Sequence, residues 1–253
     1  DKRYFCGEWN LSYLCSNFKL IKSFMNILII GATSGIGRGL WDTYAENDNN
    51  VIVLGRRVSL LEEMKEMRPT NTTIYPCDIT NHHEFESVLN DACNKAKMID
   101  LAIICAGTGD LNPDLSIDIE LSTINTNIVG WTTVVDSIYN LFKKQGFGHL
   151  VTITSIGGLV GEPNAPAYSA TKAYQINYSQ ALRKKSKKDG ISVTEIRPGL
   201  VNTAMAKGEG LFWVMPVSKV VEQIKKAITK KKSLVVVTKR WSIIAFIMKY
   251  FMS

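Results

Sequence analysis

The amino-acid sequence predicts a single α/β domain, a doubly wound sheet of about seven parallel strands with helices on both faces. From residue 26 onward, short apolar runs alternate with helical patterns, as stacked βαβ units require. Most of these runs are continuously apolar, which is typical of strands covered by helices on both faces. The 253 residues fit one domain, and no repeat, linker or change of composition after residue 25 indicates a second.

The predicted strands are short and follow one another at the spacing of βαβ units. In chain order they are Ile27–Ile30, Val51–Leu54, Thr73–Tyr75, Leu101–Cys105, His149–Thr154, Ser192–Ile196 and Leu234–Val237. Ligands of such a sheet bind beyond the carboxyl ends of its strands. We therefore expect the functional residues in the segments that directly follow the strands.

The first of these segments is rich in glycine and lies between a predicted strand and a predicted helix. It reads GATSGIG. Glycine there permits a tight turn and lets backbone amides approach a pyrophosphate at the N-terminus of the helix. The motif predicts a dinucleotide site that includes Gly31, Thr33, Ser34, Gly35, Ile36 and Gly37.

The residues after the second and third strands bear on the choice of cofactor. An NAD site commonly has an acidic residue after the second strand, whereas the 2′-phosphate of NADP calls for arginine. Here Gly55 stands at that position and Arg56 and Arg57 follow, which favours NADP(H) over NAD(H). The alternative is that both arginines are solvated charges beside a helix. Asp78 either accepts from the adenine amino group or caps the helix that begins near Asn81.

Further motifs follow in a specific order. They are CAG at 105–107, NTNIVG with Asn127, TITSIGG with Ser155, YSATK with Tyr168 and Lys172, and RPGLVNT after the sixth strand. With the glycine-rich turn, they make the chain resemble the classical short-chain dehydrogenase/reductase family from about Met25 to Val237. The resemblance implies a Rossmann-type fold and an oxidoreductase that uses a nicotinamide cofactor.

The resemblance also implies a role for each catalytic candidate. Tyr168 would be the general acid or base, and Ser155 would hydrogen-bond the substrate oxygen. Lys172 would hold the nicotinamide ribose and lower the pKa of Tyr168, and Asn127 would position a water in a proton relay. The spacing agrees with these roles, because Lys172 lies one helical turn after Tyr168, on the same face.

The remaining cofactor contacts implied by the resemblance lie after other strands. They are Ile79, Ala106, Gly107, Pro198, Gly199, Val201 and Thr203, in addition to Tyr168 and Lys172. Two features depart from the family pattern. Cys105 replaces the usual asparagine, and we interpret it as a small buried apolar residue rather than a redox group. The segment from Thr203 to Pro216 is brief, and its apolar residues either line a hydrophobic pocket or pack on the body as a short helix.

Charge and cysteine content exclude several other classes of protein. The net charge of +7 comes mainly from lysines late in the chain, without the interleaved aromatic residues of a nucleic-acid surface. The five cysteines are odd in number and lack the spacing of metal ligands, so we expect neither a disulfide framework nor a metal site. A reducing, cytoplasmic setting is expected.

The two ends of the chain differ from its middle. Residues 1–24 lack the apolar core of a signal peptide, and we expect them to be a non-native or upstream extension of a domain that spans residues 25–239; a native N-terminal cap is the alternative. Residues 240–253 form a predicted apolar helix that is too short for a membrane span. That helix either packs on protein or lies at a membrane interface, close to the preceding lysines.

The resulting expectation is an NADP(H)-dependent oxidoreductase of the carbonyl reductase type. It would interconvert a carbonyl and an alcohol, with the apolar lid and tail favouring a lipophilic substrate. The alternative is an NADP(H)-binding regulatory protein of the same fold without turnover. The resemblance also implies a homodimer or a homotetramer.

Overall fold

The computed structural model describes residues 24–206 and 212–251, and its centre is a parallel sheet. In that part of the chain the sheet has seven strands, in the order β3-β2-β1-β4-β5-β6-β7. The strands are β1 Asn26–Ile30, β2 Asn50–Gly55, β3 Thr72–Pro76, β4 Leu101–Ile104, β5 His149–Ile153, β6 Ser192–Pro198 and β7 Leu234–Val237. The predicted doubly wound α/β fold is confirmed.

Helices connect the strands and cover both faces of the sheet. They are α1 Gly35–Ala45, α2 Val58–Met67, α3 His82–Ala96, α4 Ile117–Ile124, α5 Trp131–Gln145, α6 Pro166–Asp189, α7 Val217–Thr229 and α8 Lys239–Phe251. A π-helical segment, Asn125–Gly130, joins α4 to α5. A single 3-10 turn, Ile156–Gly158, follows β5.

The strands are apolar throughout because each contributes side chains to two cores. Ile27 and Ile29 of β1 pack beneath α1, α2 and α7, whereas Leu28 and Ile30 pack beneath α3, α5 and α6. All four side chains are at most 1% exposed. Burial of a side chain of this size contributes about 1.5–3 kcal/mol, so both faces of the central strand stabilise the sheet.

The sheet order places a crevice between β1 and β4. The chain builds β1, β2 and β3 towards one edge and then returns to add β4 on the other side of β1. The loops after β1 and β4 therefore diverge, which opens a binding site at the carboxyl edge of the sheet. Both predicted functional regions, the glycine-rich turn and the Tyr168 helix, lie at this edge.

The C-terminal helix α8 has one covered face and one open face. Trp241 and Ala245 are buried against Ile156 in a small third core. On the opposite side, large apolar side chains remain exposed, namely Ile243, Phe246, Ile247 and Tyr250. Over residues 24–206 and 212–251, no helix combines the length and apolarity needed to cross a membrane.

Three sequence-based expectations fall wholly or partly outside the described residues. They are the predicted extension, at residues 1–23, the brief lid, at residues 207–211, and the predicted C-terminal helix, at residues 252–253. The described end of the lid is not helical: Met215 bridges to Val201 as a short β contact. Phe212 and Trp213 pack against Trp241 of α8. Among described residues, the lid thus packs on the body, but without the short helix that we considered.

Candidate active site

Three loops converge at the glycine-rich turn after β1. Gly31 has a positive φ of 83°, and a Cβ there would lie 2.5 Å from the backbone nitrogen of Ala106, so only glycine lets the loops after β1 and β4 approach so closely. At Gly35, an added Cβ would lie 3.0 Å from Cγ2 of Thr203, which follows β6. Gly37 packs against the carbonyl oxygen of Gly31. The turn therefore presents the N-terminus of α1 to the crevice.

Arg57 lies against the hydroxyl groups of the glycine-rich turn. Its Nε and Nη2 donate to Oγ1 of Thr33 at 3.0 and 2.6 Å, and Nη2 also donates to Oγ of Ser34 at 2.7 Å. Ser34 is the N-cap residue of α1 and makes no side-chain capping bond. A cation, two hydroxyls and the positive end of a helix thus meet beside the turn, as a phosphate site requires.

The position of the predicted NAD-type acidic residue, Gly55, lies close to the side chain of Thr33. A Cβ at Gly55 would lie 3.0 Å from Cγ2 of Thr33. Arg56, in contrast to Arg57, extends outward with a side chain that is 64% exposed, and its Nη1 lies 3.8 Å from Oδ2 of Asp78. The end of β2 therefore carries two positive charges, one on Arg57, which is hydrogen-bonded to the turn, and one on Arg56, which is largely exposed.

Asp78 does not cap the helix that follows it. Its Oδ1 accepts from the backbone N–H and the hydroxyl of Thr80, both at 2.9 Å. The N-cap of α3 is Asn81, whose Oδ1 accepts from the N–H of Glu84 at 3.2 Å. The capping alternative for Asp78 is wrong, because the side chain of Asn81 already fills that role. The adenine contact stays a prediction.

Ser155 and Tyr168 come together at the carboxyl edge of the sheet. Ser155 follows β5, and its Oγ accepts from the N–H of Gly157 at 3.0 Å, which leaves the hydroxyl hydrogen free to donate elsewhere. A Cβ at Gly157 would lie 3.3 Å from this oxygen and 3.4 Å from Cε1 of Tyr168, so the two side chains are neighbours, and Ser155 acts to lower the pKa of the Tyr168 phenol. The Tyr168 ring lies between Gly109 and Gly157, and a Cβ at Gly109 would collide with the ring. Backbone on both sides therefore fixes the orientation of the phenol.

Lys172 lies beneath the ring of Tyr168 and is almost fully buried. Its Nζ is 5.8 Å from the ring centre. Burial lowers the pKa of this lysine to about 8, with the thiol of Cys105 acting in the opposite direction. A Cβ at Gly107 would lie 3.5 Å from the Lys172 Nζ, so the lysine reaches from α6 to the loop after β4.

The pKa of Tyr168 shifts in the direction opposite to the one expected from the lysine. Burial raises the pKa of the phenol, and the nearby Ser155 side chain offsets only part of this rise. Burial is the larger of these two causes and therefore sets the direction of the shift. The phenol is therefore protonated at neutral pH, which suits a proton donor.

Asn127 is fully buried in the π-helical segment, and its side chain is occupied. Oδ1 accepts from the N–H of Thr108 at 2.8 Å, while Nδ2 donates to the Thr108 carbonyl at 2.7 Å and to Oγ1 of Thr171 at 3.1 Å. Its main-chain carbonyl accepts from Nε2 of Gln175 at 2.9 Å. A relay water on Asn127 would therefore have to share that carbonyl with Gln175.

The other predicted cofactor residues lie around the same crevice. Ile79 is buried, with its carbonyl against Gly130 of the π-helical segment. Pro198 ends β6, and the Trp241 ring lies directly on Gly199. Val201 pairs with Met215. The loop after β6 is thus braced by the C-terminal helix as well as by the sheet.

Two sets of residues at the site were missed from the sequence. Thr108 and Gln175 hold Asn127 and Lys172, and Gly109 makes room for the Tyr168 ring. The spacing of Lys172 and Gln175, three residues apart on a helix, was a signal that the two side chains meet. Nothing in the local sequence indicated the partners of Thr108 or Gly109.

Cys105 lies beside the buried lysine of the site. Burial raises the pKa of the Cys105 thiol to about 12, so this sulfur is a protonated, unreactive group at neutral pH. Among the described residues, no three or more His, Cys, Asp or Glu side chains are grouped so that they could hold a metal ion.

Comparison with known proteins assigns the fold to a family. An uncharacterised oxidoreductase of Staphylococcus haemolyticus is 31% identical over 183 residues, covering 71% of this chain and 79% of the relative. A short-chain dehydrogenase of Burkholderia cenocepacia, solved in complex with NADP, superposes with a TM-score of 0.79 at 21% identity, over 91% of this chain and 94% of that one. The structure of ElxO with NADP bound gives a TM-score of 0.75 at 22% identity, over 85% and 97% of the two chains. Residues 25–211 match the family model of the short chain dehydrogenases, and the protein belongs to that family of oxidoreductases.

Proposed function

We propose that the protein is an NADP(H)-dependent oxidoreductase that interconverts a carbonyl and an alcohol through Tyr168. The observation that carries this proposal is the meeting of Ser155, Tyr168 and Lys172 at the sheet edge that also holds the glycine-rich turn. A bound NADPH would supply the hydride to the carbonyl carbon. The chain's own side chains would supply the proton and stabilise the developing charge on oxygen.

The three side chains fit complementary tasks in carbonyl reduction. As the hydride arrives, the substrate oxygen becomes an alkoxide, and Tyr168 transfers its phenolic proton to it. The Ser155 hydroxyl, whose oxygen already accepts from Gly157, donates its hydrogen to the same oxygen. Lys172 would hold the cofactor ribose with N–H groups of its ammonium and provide positive charge beneath the phenolate that forms. In alcohol oxidation these transfers run in reverse.

Arg57 supports NADP(H) as the preferred cofactor. Thr33 and Ser34 hold its guanidinium beside the turn, where the 2′-phosphate of NADP would lie, and Arg56 adds a second cation. The solved relatives with NADP bound agree with this choice. Fluorescence titration of the protein with NADPH and NADH tests it. We expect a smaller Kd for NADPH, and tighter binding of NADH would contradict the proposal.

A lipophilic substrate is favoured by the apolar rim of the site. Leu111 follows the Gly109 loop that contacts Tyr168, and Met205 follows Thr203; both side chains are exposed, as are Phe212 and Trp213 of the lid. Absorbance of NADPH, followed with carbonyl substrates from small ketones to long-chain keto-lipids, tests the activity and the substrate class together. We expect kcat/KM to rise with chain length. Higher efficiency for small ketones would contradict the lipophilic assignment.

Helix α4 and the segment after it support the proposed homodimer or homotetramer. Ile117, Leu121, Ile124 and Val129 are large apolar side chains that remain exposed on this surface. Large exposed apolar side chains grouped along one helix and the segment after it are typical of an interface between subunits. Light scattering coupled to size exclusion should give a mass above that of one chain, and Leu121→Lys should reduce it. A monomeric wild type would contradict the proposal.

The open face of α8 supports peripheral contact with a membrane from the cytoplasmic side. Ile243, Phe246, Ile247 and Tyr250 point outward there, and Arg240 is exposed beside them. Cys77, Cys93 and Cys105 are free thiols, as a reducing compartment allows. After co-sedimentation with anionic liposomes, we expect the full chain in the pellet and a truncation that ends at Lys239 in the supernatant. Equal recovery of both in the supernatant would contradict membrane contact.

A further inference from the structure

Gln175 connects the lysine of the site to the π-helical segment. The residue lies on α6 three positions after Lys172 and is fully buried. Its Oε1 accepts from the Lys172 Nζ at 2.9 Å, and its Nε2 donates to the Asn127 carbonyl at 2.9 Å. One side chain therefore makes contact with two of the four catalytic candidates.

The chemistry of the two partners fixes the orientation of this amide. An ammonium group donates but does not accept, and a carbonyl oxygen accepts but does not donate. Only one of the two amide orientations satisfies both, with the oxygen towards Lys172 and the nitrogen towards Asn127. Rotation of the amide by half a turn would leave both buried partners facing a group of the same kind. The bridge is therefore a specific connection.

Gln175 completes a set of contacts that joins three elements. The Asn127 side chain is anchored to both backbone groups of Thr108 in the loop after β4. Its carbonyl is anchored to Gln175 on α6, and Gln175 in turn holds Lys172. Hydrogen bonds therefore link the Lys172 ammonium to the loop after β4 and to the π-helical segment, in addition to its covalent attachment to α6.

We propose that Gln175 is a positioning residue that holds the Lys172 ammonium in place against the backbone of Asn127. An uncharged acceptor is suited to this task. A carboxylate would pair with the lysine and cancel its charge, whereas an amide leaves the positive charge available to the phenol and to the proposed cofactor ribose. This inference rests on the proposed function for its purpose, but the contact itself can be tested without turnover.

The ionisation of Lys172 provides such a test. Burial lowers the pKa of Lys172 to about 8, and the groups that face its charge are the Cys105 thiol after β4 and the Tyr168 phenol on α6. An acceptor at Gln175 favours the charged lysine. Removing this acceptor should lower the pKa of Lys172 further, and replacing it with a carboxylate should raise that pKa.

Two substitutions at Gln175 should thus give opposite pH dependences of stability. We would measure equilibrium unfolding of wild type, Gln175→Met and Gln175→Glu from pH 6 to pH 10. For Gln175→Met, we expect a roughly 10- to 100-fold lower folding equilibrium constant at pH 6, and this deficit should shrink as the pH rises through about 8. For Gln175→Glu, the stability relative to wild type should instead fall as the pH rises above 8. If one variant does not fold, the other still gives its predicted slope.

Two controls separate the contact from general disruption of the helix. Gln180→Met alters an exposed glutamine of the same helix and should show no pH-dependent difference from wild type. In a Lys172→Met background, Gln175→Met should lose its pH dependence. Differences that are independent of pH in both Gln175 variants, or that persist without Lys172, would overturn the inference. The proposed function would fail separately, through absence of NADPH binding and of carbonyl reduction by the wild type.

Discussion

Replacement of Lys172 by methionine should stabilise the protein at neutral pH while removing a group that the proposed reaction needs. Burial lowers the pKa of this lysine to about 8 from an ordinary value near 10.5. The folded state therefore binds fewer protons than the unfolded state between these values, so stability rises with pH across that window. Below it, the buried ammonium carries its full penalty.

The size of the effect follows from the difference in pKa. The difference between a pKa near 10.5 in the unfolded chain and about 8 in the folded protein corresponds to a penalty of about 3 kcal/mol at pH 7. The methionine variant also leaves Oε1 of Gln175 without its donor, which costs about 1–2 kcal/mol. The net gain for Lys172→Met at pH 7 is then about 1–2 kcal/mol, and it should decrease by about 2 kcal/mol on going to pH 9.5.

Urea-induced unfolding followed by tryptophan fluorescence would measure this gain. The buried Trp41 and Trp131 report on the two main cores. Wild type and Lys172→Met are compared at pH 7 and at pH 9.5, with Lys184→Met, at an exposed position of the same helix, as the matched control. A variant that is less stable than wild type at pH 7, by an amount that does not change with pH, would refute the reasoning.

Three further predictions concern the core, the cofactor site and the tail. Glu195 is fully buried between Arg183 and Arg197, so Glu195→Gln should reduce the free energy of unfolding by about 3 kcal/mol in urea titrations; a loss below about 1 kcal/mol would contradict the ion-pair role. Gly55→Asp introduces an acid beside the turn, and the ratio of the Kd for NADH to that for NADPH should fall at least about tenfold in fluorescence titrations; an unchanged ratio would contradict the assignment. Trp241→Ala removes the ring that covers Gly199 and should lower stability by about 3–5 kcal/mol, with weaker NADPH binding, in thermal and ligand titrations; unaltered NADPH affinity would show that the tail does not support the site.

The fold could be predicted from the sequence because both signals that indicate it, the apolar runs and the family motifs, are local in the chain. Continuous apolar runs such as Ile27–Ile30 indicate strands, and in the structure alternate residues of this run enter the two cores. The motifs then placed Ser155, Tyr168 and Lys172 at strand and helix ends, where the structure has them. Local pattern and family motif both depend on residues that are near each other in the chain.

What the sequence did not reveal depends on distant partners. The raised pKa of Tyr168 comes from burial, and the amide bridge of Gln175 needs the carbonyl of Asn127, 48 residues away. Whether Asp78 caps α3 was decided by side-chain orientation, which the spacing leaves open. The C-terminal helix is apolar on all sides, so its sequence did not indicate which face would be buried against the protein.

The proton-donor role of Tyr168 is the central claim, and removal of one oxygen atom tests it most directly. The measurement is NADPH turnover by Tyr168→Phe with the best substrate of the carbonyl panel, alongside NADPH affinity. The ring rests between Gly109 and Gly157, so the phenylalanine variant should fold and bind NADPH as the wild type does. Its kcat should fall by roughly 10²–10⁴-fold because the substrate oxygen loses its proton donor. A variant that binds NADPH and turns over at nearly the wild-type rate would contradict the account.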